Sequence, residues 1–345
     1  MDIFIKLLML LVFFGVMIGI GLYCRRHATD VNGFVLGGRS VGPWLTAFAY
    51  GTSYFSAVVF VGYAGQFGWK YGIAATWAGI GNAFLGSLLA WAVLGRRTRI
   101  MTQHLDSATM QEFFGQRFGS KPLRLAASVI IFIFLIPYTA SLYNGLSRLF
   151  GMAFDIDYSV CVIVMAVLTG IYVIAGGYMA TAINDFIQGI IMIFGIVAVI
   201  AAVLNSQGGF LAALDALSAV SDETVSSAPG VFNSFFGPDP ANLLGVVILT
   251  SLGTWGLPQM VQKFYAIKSE SAINKGMIIS TVFALIVSGG CYFLGGFGRL
   301  FGDRIDIAAN GYDSVIPTML SGLPTILIAV VVILVLSASM STLSS

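Results

Sequence analysis

Nine long apolar runs constrain this 345-residue chain more than any other feature: about 3–23, 43–69, 72–95, 124–150, 158–177, 181–204, 241–266, 273–299 and 318–345. Each is near or above the ~20 residues a helix needs to cross a hydrocarbon core about 30 Å thick. A backbone in lipid must satisfy its own polar groups, which leaves helices or closed barrels. These runs are too long and continuous for barrel strands, so the expected fold class is all-α, polytopic and membrane-embedded.

Composition agrees. Hydrophobic residues make up 58% of the chain and charged residues 9%, where a soluble domain carries about 25% charge. That excludes a soluble enzyme, a disordered chain and a disulfide scaffold. A net charge of +2 gives nucleic-acid binding no electrostatic basis. Cys24, Cys161 and Cys291 are far apart and read as inert thiols in or beside apolar runs. The first run is interrupted by Lys6 and followed by Cys24-Arg25-Arg26 in place of a small-residue cleavage site. It therefore reads as a retained helix, with Lys6 reaching for the interface.

We call the first run the leader and the others core runs one to eight. Loops after the leader, core two and core six, with their flanks, carry twelve of the seventeen Lys and Arg residues. Only Lys6, Lys70, Arg148, Arg299 and Arg304 fall on the alternate side. The positive-inside rule then puts the basic loops in the cytoplasm and the N-terminus outside, in the cytoplasmic (plasma) membrane. The Ser/Gly/Ala-rich stretch 206–240 lacks Lys and Arg and reads as an external connector with room for a short amphipathic helix. The run through Ser337 to Ser345 has no cap or basic flank, so core eight reads as incomplete and the chain as part of a longer one.

Two core runs look interrupted. Core one contains Tyr50-Gly51-Thr52-Ser53-Tyr54-Phe55-Ser56, and core six contains Thr250-Ser251-Leu252-Gly253-Thr254-Trp255-Gly256-Leu257-Pro258. Glycine weakens a helix by about 1 kcal/mol relative to alanine, and proline removes a donor. Such residues also serve close packing. Their pairing in the first and sixth helices after the leader fits an inverted repeat of five plus five, with a polar solute at the breaks. Core eight adds Ser341 and Thr342, with the Ala338 carbonyl on nearly the same face. These three oxygens, with two carbonyls from the core-one break, would make a neutral cage for a monovalent cation. The alternative is that the hydroxyls bond back to their own helix.

At these residues the chain resembles the sodium:solute symporter family, which includes proline, pantothenate, sialic-acid and sodium–glucose transporters. The marks are Leu36-Gly37-Gly38-Arg39-Ser40, Thr52-Ser53 with Ser56, Gly62 and Gly65, Tyr138-Thr139-Ala140-Ser141, Gly176-Gly177-Tyr178-Met179-Ala180 leading to Asp185 and Gln188, Pro258 with Lys263-Phe264, and Met340-Ser341-Thr342-Leu343-Ser344. The resemblance implies a leucine-transporter-like inverted-repeat fold with an extra leading helix, truncated in the second repeat. Its parts would be 1–30 as leader and basic loop, 31–205 as the first five-helix repeat, 206–240 as external loop and 241–345 as the start of the second repeat. It implies a sodium ion held by the carbonyls of Thr52, Phe55 and Ala338 and the hydroxyls of Ser341 and Thr342. A small organic solute would meet Ser53, Tyr54, Ser56, Tyr138, Thr250, Thr254 and Trp255. Proline transporters of the family carry an acid where this chain has Tyr54.

Asp185, near the start of core five, reads either as a group on the inner sodium path or as a charge complementing the helix dipole. His27 and His104 read as loop residues, and Pro137 as a kink in core three. The expected activity is sodium-coupled symport by alternating access, not enzymatic catalysis. The alternative is a symporter-like membrane sensor domain of a longer signalling protein.

Overall fold

The computed structural model describes residues 2–25, 30–154, 157–226 and 228–345. Arg26 and His27 lie outside them, as does the side chain of Cys161. Helices dominate, and the isolated bridges among described residues are Val41 with Ile267 and Asp222 with Ser226. Among the described residues, six helices are long and apolar enough to cross a membrane, or seven if a bent pair counts as one span.

The difference from nine runs comes partly from glycine turns inside continuous stretches of helix. One stretch, Val58–His104, contains core two and the end of core one. It turns at Gly72, where φ is 62°. The other, Tyr158–Ser206, contains core four and core five and turns at Gly177, where φ is 58° and ψ −155°. A left-handed residue costs glycine nothing and other residues much, so each reversal falls on a single glycine.

The leader is α1 (Asp2–Cys24). Phe13 and Met17 are buried, while Phe4 and Leu11 face outward as lipid-facing residues should. The Lys6 ammonium donates to the Ala153 carbonyl at 2.7 Å, so it serves the end of a neighbouring helix rather than only the interface. Core one begins as α2 (Pro43–Tyr54), breaks, passes through a π-helical turn (Val58–Tyr63) and resumes as α3 (Ala64–Tyr71). Core two begins with α4 (Thr76–Gly81) and runs on through π-helical turns to His104, an exposed residue. Core three is α5 (Lys121–Phe154), which continues through Pro137. Next come α6 (Tyr158–Ser206) and α7 (Phe210–Ala219), a helix inside the 206–240 connector.

Core six is two helices, α8 (Pro240–Leu252) and α9 (Pro258–Ala266), joined by a 3-10 turn and bent by 53°. Core seven is α10 (Glu270–Gly295). Core eight starts later than expected. Pro324 ends the preceding segment, so Val315–Leu320 is a separate helix and α11 is Thr325–Leu343.

The core sits around α10. Gly51 lies against Phe283 and Gly68 against Gly295, so core one runs parallel to α10. Gly79 lies against Gly289 and Trp91 against Gly276, so core two runs antiparallel. Gly68 and Gly295 are obligatory: a Cβ on Gly68 would overlap the Gly295 backbone, and one on Gly295 the Ala64 carbonyl. At the basic end, arginines tie backbones together. Arg39 donates to the Ser107 carbonyl at 2.9 Å and Arg99 to that of Ile267 at 2.9 Å. At the other end, Arg299 pairs with Asp222 at 2.9 Å and lies 3.8 Å from the Phe232 ring centroid, fastening the connector.

Candidate functional site at the helix breaks

The core-one helix stops at Tyr54. Phe55 is extended, with φ −96° and ψ 114°, and its N–H makes the last bond, to the Gly51 carbonyl at 3.1 Å. Ser56 falls outside the helix and starts the next one by accepting from Val59 and Phe60. The Thr52 carbonyl therefore loses the donor a continuing helix would supply four residues on. The Thr52 hydroxyl bonds back to the Phe48 carbonyl at 2.9 Å.

The replacement donor comes from α11, 289 residues away. The Ser341 hydroxyl lies 3.2 Å from the Thr52 carbonyl and 3.1 Å from that of Ala338. Thr342 Oγ1 lies 3.0 Å from the same Ala338 oxygen. Thr52, Ala338 and Ser341 are fully buried and Thr342 nearly so. Both hydroxyls bond back to their own helix, and that of Ser341 also reaches the broken one. Four of the five residues assigned to the cage are joined by hydrogen bonds. Phe55 stands at the break itself, with its ring 6.4 Å from Phe60. The hydrogen-bonded oxygens of this cluster are all neutral.

A cavity of about 360 Å³ adjoins this cluster. Of the residues assigned to the solute from sequence, Ser53, Tyr54, Ser56, Tyr138, Thr250 and Thr254 line it. Trp255 does not stand with them; its indole donates to the Leu85 carbonyl at 3.0 Å. Sequence reasoning missed Asn82, Tyr63, Phe67 and Tyr292. Asn82 had a readable signal, being the lone carboxamide in the apolar run 72–95. Its Oδ1 accepts from Thr250 at 3.1 Å and Ser251 at 3.2 Å, and its amide donates to Ser288 at 3.0 Å. It thereby ties core two to the broken core six and to α10. Tyr54 donates to the Thr250 carbonyl at 2.7 Å, closing the cavity between the two breaks.

Asp185 is fully buried and faces Lys263, whose ammonium is 3.7 Å from its Oδ2. A helix-dipole charge would sit at an exposed terminus; this carboxylate is inside the protein. Lys263 is a correction to the charge count: it belongs to the interior, 2% exposed, not to the basic loop. It also donates to Ser345 Oγ at 3.3 Å, and that oxygen lies 2.8 Å from Ser53 Oγ. The buried ion pair is thus connected to the wall of the cavity.

The chain matches known proteins over most of its length. The family model described as the sodium:solute symporter family covers residues 34–345. A sodium/proline symporter of Staphylococcus aureus (strain JH9) is 32% identical over 275 residues, which are 78% of this chain and 51% of the relative. The sodium/proline symporter of strain NCTC 8325 / PS 47 matches to the same extent. The chain spans about half the length of the curated relatives it matches. A Na+-coupled sialic acid symporter, solved in a substrate-bound outward-open state, superposes with a TM-score of 0.77 at 16% identity, over 99% of this chain and 71% of that one. That likeness gives the fold, which is leucine-transporter-like. The chain, a multi-pass membrane protein, belongs to the sodium:solute symporter family.

Proposed function

We propose that this chain is the part of a sodium-coupled symporter that holds the ion and the solute. The observation that carries the reading is the Ser341 hydroxyl bridging to the Thr52 carbonyl at the core-one break. Sodium is a transported species here, and Thr52, Phe55, Ala338, Ser341 and Thr342 supply its oxygens. The ion ties α11 to α2 and fixes the unwound residues Phe55 and Ser56, and Ser53, Tyr54 and Ser56 face the solute. Ordering that stretch raises solute affinity, and linkage requires the solute to raise sodium affinity equally. Tyr138, Thr250 and Thr254 complete the solute cavity, and Asp185 lies on the inward ion path.

The positive-inside pattern supports an outer N-terminus in the plasma membrane. Sodium then enters down its gradient, and each charge moved across 100 mV contributes about 2.3 kcal/mol. The cavity lining is neutral, hydroxyl-rich and aromatic, which suits a small polar organic solute. The test is uptake by the full-length protein in proteoliposomes, using labelled amino acids, hexoses, sialic acid and small carboxylates. At least one should accumulate under an inward sodium gradient and not under potassium. Equal uptake in both salts would reject sodium coupling.

A further inference from the structure

A second cavity, of about 290 Å³, lies on the other side of Tyr138, which lines both. Its wall includes Thr342 of the oxygen cluster, Gln262, and Thr109 and Gln111 from the basic-loop side. Gln259 also lines it. This residue follows Pro258 at the start of α9, the inner half of broken core six. It is 5% exposed, and neither its amide Nε2 nor its Oε1 has a hydrogen-bond partner among the described residues. Tyr138 lines the same cavity. A buried carboxamide with both ends unpaired is costly and calls for a ligand. Among the described residues, no charged side chain lines either cavity.

We propose that the second cavity is an inner solute subsite and that Gln259 is its specificity-determining contact. The amide offers two N–H donors and one acceptor side by side. It fits an uncharged polar group that both donates and accepts, such as a hydroxyl or a carboxamide. A carboxylate would satisfy only the N–H side and leave Oε1 unpaired. The solute passes Tyr138 from the central cavity, meets Gln259, and leaves beside the sodium released past Thr342. This inference rests on the transport reading above and adds to it the chemistry of release.

The test uses the full-length protein in proteoliposomes, with solute Km measured separately from each side of the membrane. The labelled probes are hexoses, sialic acid, amino acids and small carboxylates. Gln259→Met keeps the side chain's length and removes its hydrogen bonds. It should raise the Km for efflux about tenfold or more, while the Km for uptake and radiosodium binding stay within threefold. Gln259→Asn should recover part of the loss. An efflux Km unchanged in Gln259→Met, or a rise equal on both sides, overturns the subsite while leaving sodium transport standing. A wild-type protein that accumulates no probe under a sodium gradient rejects both readings. If Gln259→Met does not fold, Gln259→Cys in a background free of other cysteines replaces it. A charged methanethiosulfonate reagent should reach that thiol from the basic-loop side, and the transported probe should protect it. Labelling that no transported probe slows would overturn the proposal.

Discussion

At the scale of single residues, the oxygen cluster keeps its polar groups paired. The Ser341 and Thr342 hydroxyls share the Ala338 carbonyl, so neither is left unpaired when the ion is absent. A hydrogen-bonding group that meets a charge is worth about 1.5–3 kcal/mol, and about 1.4 kcal/mol is tenfold in affinity. Ser341→Ala or Thr342→Ala alone should therefore weaken sodium binding at least about tenfold, measured as the sodium concentration for half-maximal uptake. Glycines carry a different burden. Gly177→Ala would force an L residue to φ 58° and press its Cβ against the Phe34 carbonyl. We expect a loss of more than about 1 kcal/mol, read as a fall in thermal midpoint in detergent. The hydroxyl pair and the glycine pairs were visible in the sequence because their residue types are unusual in long apolar runs. The partners were not visible. Nothing local to Lys263 distinguishes it from a loop lysine; only the packing of α9 against α6 buries it beside Asp185.

At the scale of elements, the two breaks behave differently. Core one breaks at Phe55 and Ser56 and resumes along α10, while core six bends by 53° around Leu257 and Pro258. Both breaks were legible from clustered Gly, Ser, Thr and Pro. The late start of α11 was not, because the sequence through 315–336 stays apolar across Pro324 and gives periodicity nothing to divide. The Asp185–Lys263 pair joins α6 to the inner half of core six. Removing one partner from a buried pair leaves an uncompensated charge and costs about 3–5 kcal/mol, whereas replacing both can be neutral. Lys263→Met should therefore lower stability strongly, and Asp185→Asn with Lys263→Met should restore much of it, measured by thermal unfolding in potassium. At the end opposite the basic loops, Thr224 and Arg299 hold the Asp222 carboxyl below its ordinary range. A depressed carboxylate contributes stability above its unfolded pKa, and the contribution is lost as pH falls through the folded value. Proteolysis within 206–240 should accelerate as the medium is made acidic below about pH 4, and Asp222→Asn should remove that dependence.

At the scale of the whole molecule, α10 acts as a post against which core one and core two lie in opposite directions, with α6 alongside and α11 packed on α6. The apolar pattern specified a helical membrane bundle, and the paired interruptions specified where it opens. Pattern alone could not say which face of each helix meets which neighbour. That is why Asn82 and Tyr292 escaped notice and why Trp255 was assigned to a cavity it does not line. The central claim is that neutral oxygens at the core-one break and on α11 hold sodium. Its most direct test is saturable radiosodium binding to the purified full-length protein and to its Ser341→Ala/Thr342→Ala variant, both checked for equal thermal stability in potassium. We predict that the wild type binds sodium and the double variant loses that binding by at least about a hundredfold. Undiminished sodium binding in a folded double variant would contradict the account.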